Sequence, residues 1–300
     1  MRFGMVGLGR MGGNMARRLM RRGHEAVVFD LSTGNVAELV KEGAAGAGSI
    51  EELVGLLTPP RVVWIMLPAG RPVDDTITAL SGLLSPGDVV VEGGNSFYKD
   101  AIGQEKLLSD RGVEFIDAGV SSGIWGLERG YCLMIGGGAD AFEKAEPLFS
   151  ALAPEGGYSL VGPVGAGHFV KMVHNGIEYA LMAAYGEGFE ILKASEYGDG
   201  MDLAGVAGLW NRGSIVQSWL LGFAEAALSK HGSLEDIEGY VADSGEGRWT
   251  VKQAVDSGVP APLISAALYQ RFRSQNPEGF AEKLLAAMRN EFGGHEIKKK

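Results

Sequence analysis

Apolar positions in the first half of the chain fall into short dense runs, separated by stretches in which they recur every three or four residues. The dense runs predict strands at Arg2–Gly7, Ala26–Asp30, Arg61–Leu67, Asp88–Glu92, Glu114–Ala118, Tyr131–Gly136 and Tyr158–Val161. The intervening stretches predict helices, including Gly12–Arg22, Thr33–Glu42, Arg71–Leu84 and Phe97–Arg111. Runs such as V-V-W-I-M-L and D-V-V-V-E lack polar alternation, which suits a sheet buried on both faces. Strand–helix alternation of this kind is the pattern of a doubly wound α/β domain.

Glycine and proline cluster at Gly162-Pro163-Val164-Gly165-Ala166-Gly167, and the strand signal ends there. Helical spacing follows from His168 to about Ala194, then at Leu203–Trp210, Ser214–Ser229, Leu234–Val241, Arg248–Asp256, Ala261–Arg273 and Phe280–Asn290. The reading is two domains, an α/β domain over residues 1–163 and an all-α domain over residues 164–300. The opening helix of the second domain, about 25 residues long, reads as its spine.

Composition narrows the function. A formal charge of −10 argues against a general nucleic-acid binder and leaves no basic membrane patch; the basic run Lys298–Lys300 reads as a solvated tail. An anionic ligand would have to be held by a few locally placed cations. The 47 glycines are dispersed among apolar segments, as tight turns and close backbone approaches require. Cys132 is the single cysteine, which excludes an intramolecular disulfide, and its setting in Y-C-L-M-I predicts a buried strand residue. The apolar run Val62–Leu67 is far too short to span a bilayer, and a strand starting at Arg2 leaves no room for a signal peptide. The expected compartment is the cytosol.

Two segments carry chemistry. Gly7-Leu8-Gly9-Arg10-Met11-Gly12 matches G-x-G-x-x-G between a strand and a helix, and Asp30 ends the next strand 18 residues after Gly12. That context is the dinucleotide fingerprint. Gly7 turns, Gly9 admits the pyrophosphate, Gly12 packs the helix on the sheet, and the helix N-terminus attracts phosphate. A carboxylate at Asp30 accepts from the ribose 2′-hydroxyl of NAD and repels the 2′-phosphate of NADP, and no Arg follows at 31–33. NAD is therefore expected over NADP. Leu67-Pro68, Gly93-Gly94-Asn95 and Ser121-Ser122-Gly123 follow later strands, on the rim where ligands bind in such sheets.

The second segment, Val170–Tyr179, reads V-K-M-V-H-N-G-I-E-Y. At 100° per residue, Lys171, Asn175 and Glu178 fall on one line with His174 beside them, while Met172, Val173, Ile177 and Ala180 face the core. An amine, an amide, an imidazole and a carboxylate on one strip can bind and protonate a small polar substrate. Nothing has metal-ligand spacing, and no metal is expected. His168 reads as a capping or packing residue.

Taken together, G-L-G-R-M-G, E-G-G-N-S, G-V-S-S-G, G-A-G-H-F-V-K-M-V-H-N-G-I-E-Y, Y-Q-R-F-R and the tail R-N-E-F-G-G-H make the chain resemble the 6-phosphogluconate dehydrogenases, decarboxylating oxidoreductases. Its length matches the short branch of that family, which is NAD-dependent. The resemblance implies Lys171 as general base and Glu178 as general acid, with Asn175, His174, Asn95 and Ser121 positioning the substrate. It further implies Ser122 and Gly123 at the substrate carboxylate, and Tyr179 and Arg271 at its phosphate. Arg289 and His295, on a tail reaching into the neighbouring subunit, would complete the partner's site in a homodimer or homotetramer.

Two departures stand out. Ser122 occupies a position where the family has glycine. Where the family brings Lys and Thr to the phosphate, Asp243–Trp249 offers Ser244 and Glu246. A carboxylate facing a phosphate opposes binding. Either Glu246 turns away and Arg248 compensates, or the phosphate is held less well. Two alternatives remain. A non-decarboxylating β-hydroxyacid dehydrogenase of the 3-hydroxyisobutyrate or tartronate-semialdehyde type shares the Lys-x-x-x-Asn pair, but Glu178, Tyr179 and Arg271 argue against it. A non-catalytic NAD-sensing protein would explain the altered loop but not the intact Lys171/Glu178 pair.

Overall fold

The computed structural model describes residues 1–276, 278–294 and 296–298. The chain forms two compact units, Met1–Met172 and Val173–Lys300. In the first, the elements in chain order are β1 (Arg2–Val6), α1 (Arg10–Arg21), β2 (Glu25–Phe29), α2 (Thr33–Lys41), β3 (Ala45–Gly46) and α3 (Ile50–Gly55). They continue as β4 (Val62–Ile65), α4 (Arg71–Leu83), β5 (Val89–Glu92), α5 (Tyr98–Ser109) and β6 (Glu114–Ser121). A 3-10 turn at Gly123–Trp125 leads to α6 (Gly126–Arg129), β7 (Cys132–Gly137), α7 (Ala139–Leu152) and β8 (Tyr158–Gly162). Helix α8 (Ala166–Ala194) starts in this unit and runs into the second, where α9 (Leu203–Trp210), α10 (Trp219–His231), α11 (Glu246–Asp256), α12 (Pro262–Gln275) and α13 (Phe280–Gly293) follow.

One eight-stranded sheet organises the first unit, in the order β3-β2-β1-β4-β5-β6-β7-β8. Strands β1 to β6 are parallel, β7 is antiparallel to β6, and β8 is parallel to β7. Alternate side chains leave opposite faces of a strand, so each strand feeds two cores. Phe3, Met5, Val28, Trp64, Val89 and Val91 join the core beneath α1 and α7, whereas Val6, Val27, Val63, Ile65 and Val90 join the one beneath α3, α4 and α5. This is a Rossmann-like doubly wound domain followed by an all-α unit.

Three local expectations are corrected. Leu234–Val241 is not a helix: Leu234 sits at φ 61°, Val241 donates its N–H to the Ser274 Oγ, and its carbonyl accepts from the Gln275 amide, which holds the backbone out of register for a helix. Helix α10 starts at Trp219 rather than Ser214, because Ser218 caps it through the Leu221 N–H while its own N–H goes to the Asn211 side chain. Cys132 is in a strand as expected but is exposed, at the start of β7 opposite Ser121. The two short elements β3 and α3 were not foreseen; Ala45–Gly46 pairs only two residues with β2. Among the described residues no helix is long and apolar enough to cross a membrane.

Candidate active site

The glycine loop after β1 has the geometry its spacing predicts. Gly7 sits at φ 92°, where a Cβ would collide with the Met66 carbonyl, and a Cβ on Gly12 would collide with the Gly7 carbonyl. A Cβ on Gly9 would meet nothing within 4 Å, so this is the open position of the loop. Gly9 caps α1 without a side-chain bond, leaving the first amides of the helix directed outward, with Arg10 exposed and Met11 half-buried beside them. The Asp30 carboxylate closes the loop, accepting from the Leu8 N–H at 2.6 Å and the Ser32 N–H at 2.7 Å. Each oxygen keeps a lone pair for a further donor. An open cradle, an uncapped helix start and an anchored carboxylate fit the ribose and pyrophosphate of a dinucleotide.

Leu67 and Pro68 follow β4, Asn95 follows β5 behind Gly93-Gly94, and β6 ends at Ser121. All lie at the C-terminal ends of parallel strands. Ser122, next to Gly123 (φ 56°), is held at φ 120°, a conformation that suits glycine, so the serine departure carries backbone strain.

Lys171 is set by the start of α8. The Asp117 carboxylate, fully buried in β6, accepts from the Gly165 N–H at 2.6 Å and the His168 N–H at 2.8 Å, pinning the first helical turn to the sheet. Glycines make this approach possible: a Cβ on Gly167 would collide with the Asp117 carbonyl, and one on Gly119 with the Cβ of Lys171. His168, 2% exposed, places Nε2 2.6 Å from an oxygen of the fully buried Glu92, whose other oxygen accepts from the Gly94 N–H at 2.7 Å. Burial disfavours the imidazolium, but the Glu92 and Asp117 carboxylates outweigh it and hold His168 above its ordinary pKa. Sequence reasoning missed Glu92 and Asp117. A signal was available, since a carboxylate ending the all-valine strand D-V-V-V-E must find a partner.

In the second unit, Asn175 is buried with its Oδ1 3.3 Å from the Nδ1 of His174, which lies 3.8 Å from Glu178. Met172 of the expected core face is buried, but Ile177 is half exposed, a correction to that assignment. Tyr179 packs on Gly247, and Gly176 faces Thr250, so small residues let α8 and α11 close on each other. The Arg271 guanidinium lies 3.3 Å from the centre of the Tyr179 ring and donates to the Ala242 carbonyl. Glu246 turns inward: only 4% exposed, it accepts from the Ser244 hydroxyl at 2.6 Å and the Tyr179 hydroxyl at 3.4 Å. Arg248 pairs with Asp243 and lies over the Phe272 ring. A largely apolar cavity of about 940 Å³ opens beyond Glu178, lined by Met182, Tyr185, Phe189 and Phe223. Arg289 is exposed on α13, and His295 lies outside the described residues. Among the described residues no three His, Cys, Asp or Glu side chains are grouped as a metal ion would need.

Residues 2–162 match the model of the NAD binding domain of 6-phosphogluconate dehydrogenase, and residues 167–283 match that of its C-terminal domain. A Haloferax volcanii protein named NAD(+)-dependent, decarboxylating 6-phosphogluconate dehydrogenase is 43% identical over 303 residues, covering 100% of this chain and 99% of the relative. Among solved structures, the Plasmodium falciparum 6-phosphogluconate dehydrogenase superposes with a TM-score of 0.85 at 29% identity, over 100% of this chain and 66% of that one. A Mycobacterium tuberculosis 3-hydroxyisobutyrate dehydrogenase shares the fold, with a TM-score of 0.72 at 22% identity over 91% of this chain and 94% of that one.

Proposed function

The chain belongs to the 6-phosphogluconate dehydrogenase family, and on that footing we propose that it converts 6-phosphogluconate to ribulose 5-phosphate and CO₂ with reduction of NAD. The observation that carries this reading is the placement of Lys171 and Glu178 on one face of α8, seven residues apart with Asn175 between them. An acid at that spacing is what a decarboxylation needs beyond a plain alcohol oxidation.

Bound NAD would supply the hydride acceptor, held by Gly7, Gly9, Arg10, Met11, Gly12 and Asp30, with Leu67, Pro68 and Asn95 along the strand ends. Lys171 as a neutral amine takes the proton of the hydroxyl β to the carboxylate as that carbon loses hydride. The product is a β-keto acid. Its bond to the carboxylate breaks, CO₂ leaves, and the electron pair moves to the carbonyl, whose oxygen is protonated by Lys171, now an ammonium. Glu178 then delivers a proton to the carbon that lost CO₂ while Lys171, neutral again, takes back the enol O–H proton, which leaves the ketone. Asn95, Ser121, Ser122, Gly123, Asn175 and His174 orient the sugar acid.

Tyr179 and Arg271 hold the phosphate, against the like charge of Glu246, whose carboxylate lies 3.4 Å from the Tyr179 hydroxyl. NAD is the preferred cofactor. Like charges about 4 Å apart at an effective dielectric near 20 repel by about 4 kcal/mol, and Asp30 would meet a 2′-phosphate in that way. The working assembly is a homodimer or a pair of dimers in which Arg289 and His295 complete the neighbouring site. Phosphorylated sugar acids do not cross membranes unaided, which puts the reaction in the cytosol.

The test is one assay with 6-phosphogluconate and NAD in which NADH and CO₂ are both followed. One-for-one appearance is expected. NADH without CO₂ would make this a hydroxyacid dehydrogenase, and NAD binding without NADH would favour another acid substrate or a sensing role.

A further inference from the structure

We propose that Glu92 and His168 are positioning residues that lock the turn presenting Asn95 to the helical turn presenting Lys171. The proposal rests on the functional reading above, in which both of those residues face substrate.

Glu92 ends β5, with all of its surface removed from water. One oxygen accepts from the N–H of Gly94, the residue before Asn95, and the other meets Nε2 of His168, one helical turn before Lys171. A single carboxylate therefore sets two segments that are distant in sequence. The neighbouring strand adds a second tie: Asp117 holds the backbone of Gly165 and His168, and two residues on, Gly119 supports the stem of Lys171 before β6 runs out to Ser121. Asn95, Ser121 and Lys171 are thus referred to one buried cluster.

Stability alone does not call for such a cluster. A buried ion pair gains little over a well-packed apolar pair of the same volume, because both charges lose their hydration. The pair does hold direction and distance, which packed apolar groups do at lower precision. A misplacement of a reacting group by 1 Å can slow a reaction about a hundredfold.

The experiment compares wild type with Glu92→Ala, His168→Ala and Glu92→Gln, all assayed well below their melting temperatures. Both alanine variants should lose about tenfold or more in kcat while the KM for NAD stays within about twofold. Glu92→Gln keeps an acceptor for Gly94 and a group facing His168, and should recover most of the loss. Alanine variants that melt earlier but keep the wild-type kcat would overturn the proposal. If the alanine variants do not fold, the volume-filling Glu92→Leu and His168→Phe take their place, and wild-type kcat in both would overturn it. A substrate-free readout separates failure of this proposal from failure of the functional reading. The rate at which trinitrobenzenesulfonate labels Lys171, measured by peptide mass spectrometry relative to Lys252, should change at least about threefold in the variants that remove the Glu92 or His168 hydrogen bonds. Unchanged labelling overturns the positioning role whatever the wild type turns over. Wild type without turnover, but with altered labelling in the variants, overturns the substrate assignment and leaves the positioning role standing.

Discussion

The two units bury their apolar surface in different ways. The first completes two cores by itself, one on each face of its sheet, and Trp64, Phe3, Met5 and Ile65 are fully enclosed. In the second, the buried apolar side chains among the described residues are Tyr179, Ala207, Leu221, Ala267 and Leu268, and three of these five are small or aromatic. Meanwhile Ile191, Leu263, Phe280 and Leu285 are each at least 60% exposed. Along α13, Phe280, Leu284 and Met288 recur every four residues and form one exposed stripe. A protein rarely leaves that much apolar surface open, and this is the surface that the proposed homodimer would cover. The lesson is that one unit encloses its own core, while the other leaves apolar surface for the proposed assembly to bury.

The sharpest break of this comparison is at the chemistry. Lys171→Met should lower kcat by at least about a thousandfold, in line with loss of a general base plus loss of its later protonation role, while NAD binding followed by fluorescence titration stays intact. Full activity in that variant would sink the mechanism. The assembly is tested next. Leu285→Asp should convert the proposed dimer to protomers in sedimentation velocity and cost about tenfold or more in activity, since a charge in a buried apolar contact is strongly opposed. A fully active dimer would remove α13 from the interface.

Smaller effects sharpen the first unit. Asp30→Ala should raise the KM for NAD about 10- to 100-fold, the value of hydrogen bonds to a charged acceptor, and narrow the gap to NADP. An unchanged cofactor ratio would mean that Asp30 serves only the Leu8 and Ser32 amides. Ser122→Gly should raise unfolding stability by about 1 kcal/mol in denaturant titration, through relief of its positive φ. A loss of stability instead would show that the hydroxyl contributes more than the strain costs.

The same contrast explains what the sequence made legible. Strands β1, β2 and β4 to β8 are found within two or three residues of the positions expected from apolar runs, because a strand buried on both faces tolerates little else. The short β3 pairs too few residues to leave such a run. The segment Leu234–Val241 has the apolar spacing of a helix, yet its backbone is committed to Ser274 and Gln275, and no local pattern reports that. At the candidate site, the conformation of the glycine loop and the helix that carries Lys171 and Glu178 follow from spacing, whereas the roles proposed for them rest on the resemblance. The Glu92–His168–Asp117 cluster left only the trace of a buried carboxylate in need of a partner, because it joins three segments that meet only after the sheet has formed.

Helix α8 runs unbroken for 29 residues, so the proposed base and acid stand on a single rod. Seven residues at about 1.5 Å each set them roughly 10 Å apart along its axis and nearly in line. Such a rod works as a caliper whose jaws do not depend on loop closure. Its gauge is also quantised. Moving the acid by one residue would swing it about 100° around the axis, so a substrate of different reach requires a step of three or four residues rather than a gradual drift.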